Sequence, residues 1–483
     1  MSGVLPRWPT WLAMPEGRLQ TWAVIALYAM ALVSPHSTSL GQAAQGGVFV
    51  VALVFIVRHF SALRRSPMFW LGVAFLAYVV LRGVVGWLGD PEMGAEYLDG
   101  ARGWGKSLVT PVLLTGIVLV ATGNWLKHGL GVVAVLFASL LLDVLLTLDG
   151  GAFIQALQTN RRYVFDLGHL IAGLKLGAAL LAVLIFVPLL AVRSQTSGHA
   201  TDDLSSRPVG AVGFGARLGI VRPWRLAAWL LVLLLAGGVL LAALLATKTR
   251  TGWFAVAAAL PVVLLLATWH FRSQLLARNA VALVPAIVAG LALLLTVAFG
   301  WGILESRVSS QWQTMGELVT LPQGGNIEEI SDSSLGVRAA YAHFALERVL
   351  ERPWFGFGPA EPYYLLQKRP IPWQLEGRTG HFHNGHLEIM VRFGVVGYML
   401  VLAFVSLMLH EGWRRLAEPN DGRARALALF GIGFIVFMAV WMLGTHNLDR
   451  FVLIHFYSLL TAPLVAAHLS RYCPNSVKSL ARG

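Results

Sequence analysis

Apolar runs of about twenty residues recur along the whole of this chain, and a run of that length is what a helix needs to cross the hydrocarbon core of a bilayer. They fall near residues 20 to 35, 46 to 60, 68 to 88, 107 to 122, 130 to 148, 167 to 192, 225 to 246, 251 to 270, 280 to 301, 385 to 410, 426 to 444 and 450 to 469. About twelve transmembrane helices are therefore expected, the second and fourth being the weakest because they are short and carry Gly or Pro. With 57% hydrophobic and 13% charged residues, the chain suits neither an ordinary soluble domain nor a disordered one. The expected fold class is an all-α polytopic membrane protein, since a helix satisfies its backbone polar groups internally where no water can.

Lysine and arginine orient such a chain, because they gather in the short loops on the cytoplasmic side. With the N-terminus inside, the inward segments hold pairs such as Arg64-Arg65, Arg414-Arg415 and Arg423/Arg425. The short outward loops hold only Arg102, Lys106, Arg161, Arg162, Lys248, Arg250 and Arg450. The division predicts cytoplasmic termini and makes the outward cations exceptions that need a reason. A net charge of +13 does not point to nucleic acid, because the basic residues are scattered among apolar spans and form no compact basic motif. The one cysteine, Cys473, leaves no CxxC-type zinc or redox motif and no internal disulfide.

Three connections stand out by length. The inward one, 193 to 224, is rich in Ser, Gly and Arg and reads as a flexible linker. The outward one, 89 to 106, carries Asp90, Glu92, Glu96 and Asp99 and is placed to cap a cavity. The largest, 302 to 384, is also outward and too long for a plain turn. Within it Val337, Tyr341, Phe344 and Val349 recur at helical spacing, Pro353 ends that helix, and Gly356-Phe357-Gly358-Pro359 makes a turn. The expected organisation is helices over 1–301, an outward, partly helical loop over 302–384, three more helices over 385–469 and a tail over 470–483.

Titratable groups concentrate where the long loop meets a span, in Gly380-His381-Phe382-His383-Asn384-Gly385-His386-Leu387-Glu388. Such a boundary cluster in a greasy chain is the first place to look for chemistry. His383-Asn384, nine residues, Gly394, two residues, Gly397 reads H-N-x9-G-x-x-G. At the end of a large outward loop, that pattern resembles the signature of bacterial O-antigen ligases, in the wider ligase/polymerase superfamily. A second pair, His446-Asn447, has no glycines at the matching positions and is set aside.

The resemblance implies a GT-C-like membrane glycosyltransferase with its large loop in the periplasm. It would move a preassembled polysaccharide from undecaprenyl pyrophosphate onto the lipid A-core acceptor at the periplasmic face of the bacterial inner membrane, inverting configuration. It also implies functional arginines at Arg161 or Arg162 and at Arg250, between which pairings the sequence does not decide. The residues suit that chemistry. A glycosyl pyrophosphate brings its own leaving group, and arginine forks can hold the departing phosphate oxygens. No Asp-x-Asp motif calls for a metal, and no cofactor is expected. An imidazole such as His383 can accept the proton of the acceptor hydroxyl. Asn384 is placed to orient the acceptor or the imidazole, and Arg338 is a third phosphate or sugar contact or a solvated surface residue. Gly394 and Gly397, a helical turn apart, would let a helix or lipid chain approach closely.

Other readings stay open. His381, His383 and His386 can be structural residues at a helix start, or the first two and Glu388 can join His386 in a His-x-His-x-x-His zinc site. The outward arginines can snorkel to headgroups. Asp90, Glu92, Glu96 and Asp99 are rival bases. Within the spans, Arg82, Asp143 and Lys175 are costly to bury and should face the bundle interior. At the level of function, an O-antigen polymerase and a transporter or flippase for lipid-linked sugars are the alternatives to the ligase.

Overall fold

The computed structural model describes residues 16–90, 92–159, 161–165, 168–193, 223–277, 309, 311–320, 326–360, 371–376, 381–418, 421–446 and 451–473. Fifteen α-helices lie among them: α1 (Glu16–Val33), α2 (Thr38–Leu63), α3 (Pro67–Gly89), α4 (Gly94–Gly105), α5 (Val109–Ala121), α6 (Trp125–Thr147), α7 (Gly150–Gln158), α8 (His169–Arg193), α9 (Pro223–Ala246), α10 (Arg250–Ala277), α11 (Trp312–Thr320), α12 (Ser334–Glu351), α13 (Gly385–Ala417), α14 (Gly422–Met442) and α15 (Phe451–Leu469). No strand occurs among the described residues. Starts are set by residues that cap free N–H groups: Ser37, Ser66, Asn124, Asp149, Ser333, Asn384 and Asp421 each accept from the first turn of the helix that follows.

Among the described residues, seven helical segments are long and apolar enough to cross a membrane, and three more apolar helices, Leu170–Phe186, Leu235–Ala246 and Leu453–Leu469, are shorter. The chain is a polytopic all-α integral membrane protein. Every predicted apolar run lies on one of these helices or on α1, except 280 to 301, which lies outside the described residues. The linker over 194–222 lies outside them too. The acidic stretch after α3 is not a loop: α4 folds against α3 and runs on into α5, bent at Leu108, where φ is +53°. Gly94–Ala121 thereby forms one candidate span.

Short turns make successive helices alternate in direction. One end of the bundle gathers the turns 34–37, 148–149, 247–249 and 443–446 together with the described parts of 90–93, 159–168 and 309–384. The other end carries Arg64, Arg65, Lys127, Arg414 and Arg415. There the fully buried Glu411 accepts from Arg415 at 3.0 Å and pairs with Arg471, tying α13 to the end of α15. Within the long connection, Ile327, Ile330, Val337, Tyr341, Phe344, Phe357 and Phe382 form a second apolar core that also takes in Val391 of α13.

α13 is broken at Gly394, whose φ of 63° and ψ of −169° lie outside the helical region. Segment 353–358 docks into the break. Val395 and Val396 donate to the carbonyls of Pro353 and Trp354 at 2.8 and 3.2 Å, while Phe357 and Gly358 donate to the carbonyls of Val391 and Arg392, both at 2.8 Å. The Phe393 carbonyl accepts from the Tyr78 hydroxyl at 2.7 Å. The groups freed by the break are thus satisfied by protein, which is what a broken helix in a bilayer requires. Arg82 closes the assembly from α3 by donating to the Gly356 carbonyl at 3.0 Å.

The other two intramembrane charges meet a different cluster. Asp143 meets His36 Nδ1 at 3.0 Å, and the other nitrogen of that ring meets Ser139 at 2.8 Å. Lys175 is 1% exposed, lies within electrostatic reach of Asp143, and its Nζ has no hydrogen-bond partner among the described residues. A buried ammonium without such a partner is costly, and replacing a buried charge by an apolar side chain of similar volume is often neutral or stabilising, by roughly 1–4 kcal/mol. Lys175→Met is therefore expected to hold or raise the melting temperature in detergent; a clear fall would mean that the ammonium is matched by a group essential to the bundle.

Candidate active site

Three separate parts of the chain meet at the crowded end of the bundle: the start of α13, the first turns of α12, and the 443–446 turn. His383 is the residue before the α13 cap and sits at φ +53°, a left-handed conformation that side chains rarely adopt. The strain points its half-buried ring at Tyr341 of α12, 5.2 Å between centroids, and edge-on to His381 at 4.2 Å. Its backbone N–H donates to His381 Nδ1 at 3.3 Å. Burial, then the neighbouring His381, Arg338 and His446, pull the His383 imidazole down to about 4, against a smaller opposing pull from Glu388. The ring is therefore neutral at physiological pH, the form that accepts a proton.

Arg338, on the first turns of α12, is half-buried and stands within electrostatic reach of His383. Its guanidinium is held below its ordinary range by burial and by a second cation, Arg162. Arg162 reaches this place because Tyr163 anchors its segment: the Tyr163 N–H donates to the Ala246 carbonyl at 2.9 Å and its hydroxyl accepts from the Asp149 N–H at 2.7 Å. Arg162 and the neighbouring Arg161 are both exposed; Arg161 has its backbone N–H on Thr159 Oγ1 at 3.2 Å. Arg250 opens α10 directly after the 247–249 turn, which follows the α9 end to which Tyr163 is bonded. The next residue, Thr251, packs on Gly444, where a Cβ would lie 2.6 Å from its hydroxyl oxygen. Arg250 is thereby set beside the 443–446 turn at the same end of the bundle as His383.

Other sequence-picked residues have structural work. Asn384 Oδ1 accepts from the N–H groups of His386 and Leu387 at 3.0 and 3.2 Å, so its oxygen caps α13 and only its amide nitrogen is left to meet a substrate. His386 is turned away from the other imidazoles: Nε2 meets the Ala439 carbonyl at 2.9 Å and Nδ1 the Tyr398 hydroxyl at 3.0 Å. With both nitrogens engaged there, His386 cannot complete a zinc set with His381 and His383. Gly397 faces α3, where a Cβ would lie 3.0 Å from the Tyr78 ring, so the close approach expected of it is made by a helix. Of the rival acids, Glu92 and Asp99 are exposed and Asp90 Oδ1 accepts from the Met93 N–H at 3.3 Å.

Sequence reasoning missed the support beneath His383. Glu388, 0% exposed, accepts from Arg392 Nε and Nη2 at 2.8 and 2.5 Å and from the Phe382 N–H at 3.1 Å. Arg392 also donates to the carbonyls of Pro359 and Ala360 at 2.7 and 2.6 Å, and lies 5.2 Å over the Trp104 ring. His446, set aside for want of glycines, is buried in this cluster, stacked on Trp104 and 3.9 Å from Glu388. The Gly385 N–H donates to the Thr445 carbonyl at 3.1 Å, clipping the 443–446 turn to the start of α13. The repeated His-Asn dipeptide in a short outward turn was the signal for it. A neutral imidazole facing a pair of arginines can receive a proton while a nearby phosphate is held.

None of the curated proteins matches the chain. Residues 235–402, which run from α9 through the break in α13 and include His383, Asn384, Gly394 and Gly397, match the family model described as O-antigen ligase. Over those residues the chain is similar to the O-antigen ligase family.

Proposed function

We propose that this protein is an inverting, metal-independent glycosyltransferase that ligates O-antigen polysaccharide from undecaprenyl pyrophosphate onto lipid A-core. In this reading it lies in the bacterial inner membrane with both termini in the cytoplasm, and the crowded end of the bundle faces the periplasm. The observation that carries the proposal is the approach of His383, Arg338 and Arg162, from three segments far apart in sequence, at one end of a membrane bundle. Arg162, Arg338 and Arg250 hold the pyrophosphate and offset the charge that grows on its leaving oxygen. The acceptor hydroxyl oxygen attacks the anomeric carbon from the opposite side, the carbon–oxygen bond to pyrophosphate breaks, and the hydroxyl proton goes to His383. The single displacement inverts the configuration. The clustering of cations such as Arg64, Arg65, Arg414 and Arg415 at the other end supports the orientation.

A polymerase would run the same displacement with a lipid-linked repeat unit as acceptor. Deleting the gene separates the two. The ligase reading expects core-only lipopolysaccharide with long polymer left on undecaprenyl pyrophosphate; lipopolysaccharide cores bearing a single repeat would make the protein a polymerase. Polymer that never reaches the periplasm would make it a transporter.

A further inference from the structure

The proposed base is a weak one, and a proton delivered to it needs somewhere to go. His381 stands between two other imidazoles, its ring 4.2 Å from that of His383 and 5.4 Å from that of His446. Behind them, His446 Nε2 lies 3.9 Å from a carboxylate oxygen of Glu388. That carboxylate is fully buried and fixed by Arg392 and the Phe382 N–H, and Trp104 stacks on His446. A base backed by an oriented partner and a fixed carboxylate is the logic of catalytic triads generally. His446 comes from the 443–446 turn, beyond the residues matched by the family model.

We infer that His446 is a positioning residue for the transfer proposed above: it takes over the acceptor proton from His383 by way of His381 and holds it beside Glu388. In the forward step the acceptor O–H bond breaks as its oxygen bonds the anomeric carbon, and the pair in the broken carbon–oxygen bond leaves on the pyrophosphate. The proton passes to His383, then to His381 and His446, by ring rotation or through one water, and returns to solvent or to the departing pyrophosphate after release. The titratable groups placed against His446 are Glu388 of α13, itself paired with Arg392, and His381 and His383 from the segment before it; Arg338 of α12 acts on His383.

The inference rests on the transfer reading, and the test separates them. Purified full-length protein and the His446→Gln variant, compared for thermal stability in detergent, are assayed for transfer from lipid-linked polysaccharide to lipid A-core. The expected result is a roughly 10–100-fold fall in kcat with donor KM held within about twofold, because a relay acts on the proton and not on donor binding. In mixed light and heavy water the single-turnover rate of the unaltered protein should bow with deuterium fraction, and that of His446→Gln should be linear. Imidazole added to His446→Gly should restore part of the rate. Unchanged kcat in His446→Gln overturns the relay, as does a change confined to KM. Should the variant fail to fold, a linear dependence in the unaltered protein overturns it alone. Absence of any transfer by the unaltered protein removes the ligase reading and the relay with it, whereas normal transfer by both proteins removes only the relay.

Discussion

Gly394→Ala is expected to lose most of the folded protein, the largest stability effect of any single methyl group added here. The backbone at Gly394 has φ 63° and ψ −169°, a region almost closed to residues with a Cβ. An added Cβ would lie 2.3 Å from the Trp354 carbonyl oxygen and 2.4 Å from its carbon, and these are main-chain atoms that cannot rotate away. The opposite strand of the junction is as tight, since a Cβ on Gly356, at φ +63°, would lie 2.5 Å from the Val391 oxygen. Strain and overpacking of about 1–3 kcal/mol each place the cost at roughly 2–6 kcal/mol, comparable with the whole stability of many domains. If segment 353–358 is expelled, Val395, Val396 and the carbonyls of Val391 and Arg392 lose their partners inside the bundle. Thermal unfolding in detergent should show a large fall for Gly394→Ala. Gly103→Ala, where a Cβ meets nothing within 4 Å, should show none. Equal melting of both variants would mean that α13 is not broken where the structure breaks it.

His383→Ala should leave the fold intact and lower transfer by about 10²–10⁴-fold, the range for loss of a positioned general base. The pH dependence is as telling. An ordinary histidine titrates near ~6.5. With His383 held at about 4, the base form persists through the acidic range, so kcat/KM should stay level from neutrality down to about pH 5 and fall only below it. The same shift has a sign for stability. Folding favours the neutral ring, so the stabilisation is complete above the unfolded value of ~6.5 and is lost as pH falls through the folded value of about 4. His383→Ala should accordingly be less acid-sensitive than the unaltered protein. An activity limb centred near ~6.5 would contradict the burial of this ring.

Much of this could be read before any coordinates. The spans were legible because a bilayer demands long apolar runs, and His383 because its distance to Gly394 and Gly397 is distinctive. What the glycines do was not. An isolated Gly in an apolar run passes for a helix residue, and the segment that fills the break lies some forty positions upstream in the sequence. α4 was hidden by its composition: Glu96, Asp99, Arg102 and its glycines read as a polar loop, yet they sit on a helix packed against α3. Glu388 was legible only as a member of the histidine cluster, and Arg392, four residues on, was not singled out; only burial makes the pair the floor of the site. Asn384 was picked for a substrate and found capping a helix. Arg338 could be recognised as helical, but its nearness to Arg162 depends on Tyr163 gripping the end of α9, which no local pattern encodes.

The claim that these segments form one transfer site is tested most directly with purified protein in liposomes carrying lipid-linked polysaccharide and lipid A-core. The account predicts that full-length polymer appears on the acceptor in one step, that Arg162→Ala raises donor KM while Arg161→Ala does not, and that His383→Gln abolishes turnover while still binding donor. Transfer at the unaltered rate by His383→Gln, or a product that grows by single repeats, would contradict it.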